Sequence, residues 1–443
     1  VLRLHDTAIG EVRELALRDP GTVSLYVCGP TVYDVPHIGH GRSYLVYDVL
    51  VRYLEWSGLA VNHVRNITDI EDKIIDRANE LGVDPDDLTR EFEATYYSAF
   101  DRLGIKRPTH DPHATAYVDR MLDLIGSLAE RDIAYETADG VYMDVAKVDG
   151  YGLLAQQSLD DLQAGERVDA EARSEKRSPI DFVLWKKAKP GEPSWDSAWG
   201  PGRPGWHTEC VVMSLDLLGD GFDLHAGGLD LKFPHHENER AQAVALGYSF
   251  AQHWMHHAFV EVGGVKMSKS LKNFTSLVDL LDQHDSRAYR LLVLRSHYRS
   301  PMEVTPETIS DAERQLDRLD EFARNVPRPA AAAAAADLDR FRSVMDDDLK
   351  TPAAVALLSE FVTNAYKGDE GAAAAAYEIC DALGLVIGAD GSDAVDDEAA
   401  ALVAARDRAR RDRDFAEADR IRDLLQDQGW VVKDTPEGTH IHR

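Results

Sequence analysis

The sequence predicts an α/β fold: a parallel-sheet domain split by an insertion, followed by an α-helical C-terminal region. Three observations predict it. Residues 23–67 run strand, glycine-containing loop, helix, strand, the order of a βαβ unit. Alternating strand and helix patterns return over 206–262, after a differently textured stretch from 108 to 204. From about residue 276 onward apolar positions recur at helical spacing and strand signals stop. A length of 443 residues suits about three domains at roughly 100–200 residues each.

Each element has a local reason. VSLYVC (23–28) is β-branched and aromatic, the composition of a short buried strand. GPTVYDVPHIGHGRS is a Gly/Pro-rich loop, and SYLVYDVLVRYLEWSG then carries a helical apolar pattern that stops at Gly58. AVNHVRNI (60–67) is the next strand, so ligands are expected at the carboxyl ends of the strands. A helix around 88–103 closes the first half, residues 1–107. The insertion, 108–204, holds helical pieces, the alternating segment GVYMDV (140–145) and the Pro/Gly/Trp-rich KPGEPSWDSAWGPGRPGW. The second half, 205–262, offers a helix from His207, a strand at FDLHAG, a helix from Pro234 and a strand at HHAFVEV. Residues 263–310 and a helical bundle over 311–389 follow. DGSDAVDDEAA (390–400) is an acidic linker. The final module, 399–443, is predicted as one helix to about 427 and a short compact end. The Ala tracts 330–336 and 372–376 are good helix formers and carry no chemical signal.

Composition excludes several classes. With 44% hydrophobic residues the chain can build real cores and is not a disordered tail. It has no apolar run of about 18 residues, so no membrane helix is expected, and no secretory leader pattern opens it. Three cysteines without close spacing are no disulfide framework, and a reducing, cytoplasmic setting is expected. The net charge of −29 argues at first against a polyanionic partner. Yet the acids are 51 Asp and 27 Glu against 35 Arg and only 14 Lys, a surface suited to concentrated salt, where screening shortens electrostatic reach. Residues 403–443 hold nine bases and nine acids, so the whole negative excess lies in 1–402.

Three constellations carry chemistry. His37-Ile38-Gly39-His40 falls at a loop-to-helix junction, where free N–H groups attract anions, imidazoles can follow a phosphate and Gly39 admits a flat ligand. Lys266-Met267-Ser268-Lys269-Ser270 concentrates lysines from a lysine-poor chain in a loop suited to a polyphosphate. Cys28, Cys210, His235 and Glu239 have the side chains of a Zn²⁺ site, but without CxxC spacing they read equally as two buried cysteines and an acidic helix start. Taken alone, the first two motifs are also what ordinary loops contain.

The two signatures in this order, with an insertion between sheet halves, resemble class I aminoacyl-tRNA synthetases. The resemblance narrows to the cysteinyl-tRNA synthetases through LYVCGPTVYDVPHIGHGRSY, RNITDIEDKI, GWHTEC, FDLHAGGLDLKFPHHENERAQ, KMSKSLKNF, MDDDLKTP and ARRDRDFAEADRIRDLL. It implies a Rossmann-type catalytic domain split by a connective insertion, a stem-contact region carrying the KMSKS loop (263–310), the helical bundle, and a small anticodon-binding module (399–443). It implies a reaction: ATP activates L-cysteine to an adenylate, and the cysteinyl group passes to the terminal adenosine of tRNA(Cys). It implies one Zn²⁺ per chain held by Cys28, Cys210, His235 and Glu239, which selects cysteine over serine by its thiolate. Mg²⁺ would accompany ATP. His37, His40, Lys266 and Lys269 would serve catalysis. Gly39, Gly228 and Asp230 would join them around ATP, and Thr68 and Trp206 would line the cysteine pocket. His207, His225 and His236 would orient the metal ligands. Trp430 would offer a stacking surface to the anticodon, and Cys380 would only pack in a core. A monomer with no membrane contact is expected. The nearest rival, the cysteine ligase of mycothiol synthesis, shares the metal and ATP motifs but lacks the anticodon module.

Overall fold

The computed structural model describes residues 1–158, 175–262, 265–266, 275–388, 397–411, 414–428, 430–435 and 438–442. They form two compact units. One comprises Val1–Gln315 with Pro329–Leu385, the other Leu316–Arg328 with Val386–Arg443.

The first unit opens with a hairpin, β1 (Arg3–Asp6) and β2 (Glu11–Glu14). Its centre is a four-stranded sheet of β3 (Thr22–Val27), β4 (Ala60–Arg65), β9 (Phe222–Gly228) and β10 (Ala251–His257). The spatial order is β10-β9-β3-β4 and every pairing is parallel. The first two strands in the chain run outward one way from the centre and the last two run the other. The order therefore reverses between β3 and β9, and at that switch point the two crossovers leave a crevice beyond the carboxyl ends.

Helix α1 (Ile38–Trp56) is the first crossover. It is buried on nearly every side, which is why its apolar pattern is dense rather than one-faced. Tyr47 donates from its hydroxyl to Gly227 O at 2.6 Å, fastening the helix to the end of β9. Helices α2 (Asp72–Leu81) and α3 (Pro85–Arg102) follow β4. Each opens on an acidic cap, Glu71 accepting from the Lys73 N–H and Asp84 from the Asp86 N–H.

The insertion contains helix α4 (Val118–Glu130) and a second sheet of β5 (Ala134–Glu136), β6 (Gly140–Met143), β7 (Phe182–Lys187) and β8 (Gly202–Pro204), antiparallel throughout. Only β6 had shown the period-2 pattern. In FVLWKK the apolar residues run consecutively, because both faces of β7 pack. Helix α5 (Trp206–Leu218) returns the chain to the parallel sheet, and α6 (Glu237–Ala245), entered through a wide turn at Lys232–His236, links β9 to β10.

The last central strand starts five residues before the HHAFVEV segment and ends at His257. AQHWMHH lacks β-branched residues, so its strand character comes from burial between elements. The remainder, β11 (Val260–Val262), pairs instead with β12 (Val265–Lys266) and with β13 (Met302–Glu303). Between these lie α7 (Leu277–Gln283) and α8 (Ser286–Leu294). Then come α9 (Pro306–Asn325), α10 (Ala335–Met345), α11 (Thr351–Ala365) and α12 (Glu370–Ala382). Cys380 is buried in α12, as core packing requires.

In the second unit the expected single C-terminal helix is two, α13 (Asp397–Arg411) and α14 (Phe415–Asp427). The Asp414 carboxylate caps the second by accepting from the Glu417 N–H at 3.1 Å. The Asp-x-x-Glu spacing that marks such a start was present in the sequence, masked by the surrounding charge run. A hairpin, β14 (Val431–Thr435) and β15 (Gly438–His442), completes it. Ala399, Ile421, Leu425, Trp430 and Val432 form its core. No described helix is long and apolar enough to cross a membrane.

Candidate active site

The site is built at the switch point. Cys28 follows directly on β3, and Cys210 sits early on α5. His235 lies in the turn before α6, and Glu239 lies one turn later on that helix. Residues 182 and 25 positions apart thus meet: Cys28 Sγ is 3.7 Å from Cys210 Sγ, and Cys210 Sγ is 3.6 Å from His235 Nε2. Glu239 Oε1 is 3.6 Å from Cys28 Sγ and 3.0 Å from His235 Nε2. All four donor atoms lie within 4.8 Å of one another, and all four residues are buried. Donors placed tetrahedrally at ordinary zinc bond lengths stand roughly 3.3–3.8 Å apart. Two sulfurs, one imidazole and one carboxylate at these separations fit a borderline-soft divalent cation.

A second layer of histidines contacts three of the four. His225 Nε2 lies 2.7 Å from Glu239 Oε2, His236 Nε2 lies 3.2 Å from Cys28 Sγ, and His207 Nδ1 lies 2.9 Å from His235 Nδ1. All three histidines named as orienting residues therefore touch a member of the cluster. His236 in turn meets His256, which meets the Thr7 hydroxyl at 2.7 Å. Trp206 stacks its ring on His235 at 4.0 Å, placing it against the cluster.

Thr68 is reached through main chain. Gly29 N–H donates to Asn66 Oδ1 at 2.8 Å, and the Thr68 N–H donates to Pro30 O at 3.0 Å. A Cβ on Gly29 would stand 1.5 Å from Asn66 O, so only glycine permits this approach. The Thr68 hydroxyl donates to Glu209 Oε2 at 2.9 Å and accepts from Asn66 Nδ2 at 3.2 Å. Asn66 and Glu209 had not been singled out. The only signal for Glu209 was its place beside Cys210.

The first signature caps α1. His37 Nδ1 accepts from the His40 N–H and His40 Nδ1 from the His37 N–H, both at 3.2 Å, and the rings stack at 3.6 Å. Each imidazole thus uses Nδ1 on the helix, and the buried Tyr96 hydroxyl lies beside the His40 ring, 3.3 Å from Nδ1 and 3.5 Å from Nε2. Gly39 lies between them in the first turn of the helix. Gly228 is buried at the end of β9, and Asp230 stands exposed just beyond it. Of the second signature, the main chain of Lys266 lies in β12. The Lys266 side chain and Lys269 lie outside the described residues.

Comparison with known proteins bears on this arrangement. Residues 15–314 match the family model of the class I (C) tRNA synthetase catalytic domain, and residues 392–441 match the cysteinyl-tRNA ligase anticodon binding domain. A cysteine–tRNA ligase of Halorhodospira halophila is 44% identical over 461 residues, covering 100% of both chains. One of Thioalkalivibrio sulfidiphilus is 46% identical, again over 100% of both. The chain belongs to the cysteine–tRNA ligase family. Among solved structures, a Mycobacterium tuberculosis methionyl-tRNA synthetase bound by methionyl-adenylate shares the fold, with a TM-score of 0.62 at 15% identity over 82% of this chain and 90% of that one.

In this member of the cysteine–tRNA ligase family the cluster is electrostatically polarised. Burial opposes charge on Glu239, but His225 and His235 outweigh it and hold the carboxyl well below its usual range. Burial also opposes charge on His235, yet Glu239 and Cys210 bring it up to about 10. The thiols divide. Burial and then Cys210 push Cys28 well up, whereas hydrogen bonds from Cys28 and His235 overcome burial at Cys210 and bring it down to about 6. Of these two sulfurs 3.7 Å apart, Cys210 is therefore the more readily ionised. Burial, then Cys210, drives Glu209 well above its usual value.

The residues matching the family's anticodon domain form most of the second unit. There Trp430 is only 2% exposed, which corrects its expected role: the indole is core and offers no face to a base. Phe415, 64% exposed at the start of α14, is a large aromatic this unit presents to solvent. Arg406 is buried and donates to the Thr439 hydroxyl at 2.7 Å, and Arg420 pairs with Glu417. Arg408, Arg411 and Arg422 are exposed.

Proposed function

We propose that this chain activates L-cysteine with ATP and transfers it to tRNA(Cys), with zinc held by Cys28, Cys210, His235 and Glu239. The observation that carries this reading is the buried two-sulfur, one-nitrogen, one-oxygen cluster, at the switch point of a class I tRNA synthetase sheet. Zinc there would supply a soft Lewis acid for a thiolate, a contact that a serine hydroxyl cannot replace. A site built around such a contact can discriminate by ~10⁴ or more without editing.

The chain's own residues position the rest. Trp206, stacked on His235, and Thr68, oriented by Glu209 and Asn66, line the cysteine pocket. The substrate carboxylate attacks the α-phosphate of Mg-ATP and pyrophosphate leaves. This chemistry needs placement and charge stabilisation more than covalent help. His37 and His40 meet the phosphates at the N-terminus of α1. Gly39, Gly228 and Asp230 lie around the nucleotide, and Lys266 and Lys269 neutralise the charge that develops on the phosphates. A hydroxyl of the terminal adenosine then attacks the adenylate, while Phe415 and the exposed arginines of the second unit meet the anticodon by stacking and charge. The protein acts as a cytoplasmic monomer.

The test is cysteine-dependent ATP–pyrophosphate exchange, followed by charging of tRNA(Cys), on protein of measured zinc content. Exchange and charging with one zinc per chain is the expected result. Charging of an amino sugar in place of tRNA would transfer the activity to another cysteine ligase.

A further inference from the structure

Arg42 lies on α1 two residues beyond His40, and its side chain is buried, 1% exposed. A buried guanidinium is normally paired with a carboxylate. Here the hydrogen-bond acceptors among the described residues are main-chain carbonyls. One terminal nitrogen donates to Phe259 O, and the other donates to Ser300 O and approaches His297 O and Tyr298 O at 3.4 Å. Burial pulls its pKa down to about 10, against the pull of Tyr289 and Glu261. A charge is therefore kept in the interior to hold backbone at a fixed place, and the backbone it holds has a specific destination.

Phe259 leads straight into β11. That strand pairs with β13, Val260 opposite Met302 and Glu261 opposite Glu303, immediately after the other carbonyls Arg42 grips. Strand β11 also pairs with β12, Glu261 opposite Lys266 and Val262 opposite Val265. Arg42 thus anchors the three-stranded ribbon on which Lys266 is carried. On the far side of the lysine signature the chain is anchored to the same helix start. The Ile38 N–H donates to Thr275 O at 3.1 Å, and the Leu277 N–H donates to Pro36 O at 2.8 Å. Both flanks of the second signature are therefore fastened to the first. One is fastened by main-chain bonds at residues 36–38, the other, among the described residues, through the buried Arg42 side chain.

We infer that Arg42 is a positioning residue for the activation step, setting the β11–β12 ribbon, and with it Lys266, in register with His37 and His40. This rests on the function proposed above. Because it concerns the phosphate side of the site, it separates from cysteine binding at the metal cluster. Misplacement of a reacting group by about 1 Å can cost ~10²-fold in rate, whereas the cluster is fastened to β3, α5 and α6 independently of Arg42.

The experiment compares wild type, Arg42→Lys and Arg42→Met as full-length protein loaded with zinc, and with Co²⁺ for spectroscopy. It measures thermal midpoint, pyrophosphate-exchange kcat, KM for ATP and for cysteine, and the cobalt–thiolate absorption produced by added cysteine. In folded variants, well below their melting temperatures, kcat should fall ~100-fold for Met and ~10-fold for Lys. The cysteine KM and the cobalt–thiolate band should stay within about twofold of wild type. Wild-type exchange in either folded variant overturns the inference. So does equal loss of the cysteine-induced band, or failure of both variants to fold, each of which reduces Arg42 to a structural prop. Absence of cysteine-dependent exchange in wild type would instead reject the proposed function itself.

Discussion

The buried cluster and the C-terminal unit handle charge in opposite ways. At the cluster, two thiols, a carboxylate and an imidazole are withdrawn from water and each is held by another side chain, at separations down to 2.7 Å. In the C-terminal unit several charges remain in water, as with the solvated Arg420–Glu417 pair one turn apart. Fixed, desolvated donors suit a small ligand that must be told from a near-isostere, because an unmatched contact there is expensive. Solvated arginines suit a long polyanion, which is met by many weak contacts spread over a surface.

The sharpest way to break this contrast is Cys210→Ser. Metal content should fall well below one per chain and cysteine-dependent exchange should drop by at least ~100-fold, beyond what loss of an orienting partner alone costs. Retention of both metal and exchange would show that the cluster is not the selective element. His225→Asn tests the second layer. Metal affinity should weaken ~10–100-fold, measured by competition with a chromophoric chelator.

In the C-terminal unit the contrast predicts a separation of effects. Phe415→Ala should leave exchange unchanged and lower kcat/KM for tRNA ~5–150-fold, equivalent to about 1–3 kcal/mol of lost stacking. Trp430→Ala should instead destabilise that unit by about 3–5 kcal/mol as a core cavity, read by its melting transition. A Trp430→Ala protein that melts normally but fails to charge tRNA would reverse the assignment.

Proton release reads the cluster directly. In metal-free protein at pH 7, Cys28, whose pKa is raised, holds its proton, and so does His235, raised to about 10. Binding requires both deprotonated, so zinc uptake should release about two protons, measurable by calorimetry in buffers of different ionisation enthalpy. Because both folded values are raised, affinity should climb as pH rises above neutrality. A pH-independent affinity would contradict the assigned proton positions. The smallest effect concerns salt. With 14 lysines against 51 aspartates, folding and charging should persist in ~1 M KCl, where exposed charges are screened within about 3 Å. Activity confined to low salt would remove the case for a salt-adapted surface.

Local chemistry was legible where it is local. Gly58 ending α1, the β-branched β3 and the Gly-containing loop before α1 are decided by residues a few positions apart, and the structure follows them. Strand β10 was placed late because its histidines and Trp254 become strand residues only once both faces are covered. The break between α13 and α14 was hidden because a capping aspartate looks like any other aspartate in a charged run. Asn66, Glu209 and Arg42 escaped for the same reason: their roles lie in what they touch, through contacts 2, 141 and 217 or more positions away.

Sequence alone determined the class of this protein: the two signatures, the strand and helix order of its parallel sheet, and a family resemblance that named the four candidate ligands. Whether those ligands meet was a tertiary matter. Cys28 and Cys210 are brought to 3.7 Å only because β3 and β9 are neighbours in a parallel sheet and α5 and α6 converge on their shared end. Likewise, that Trp430 is core while Phe415 faces water could be decided only by packing, since burial is a property of the folded chain and not of the residue.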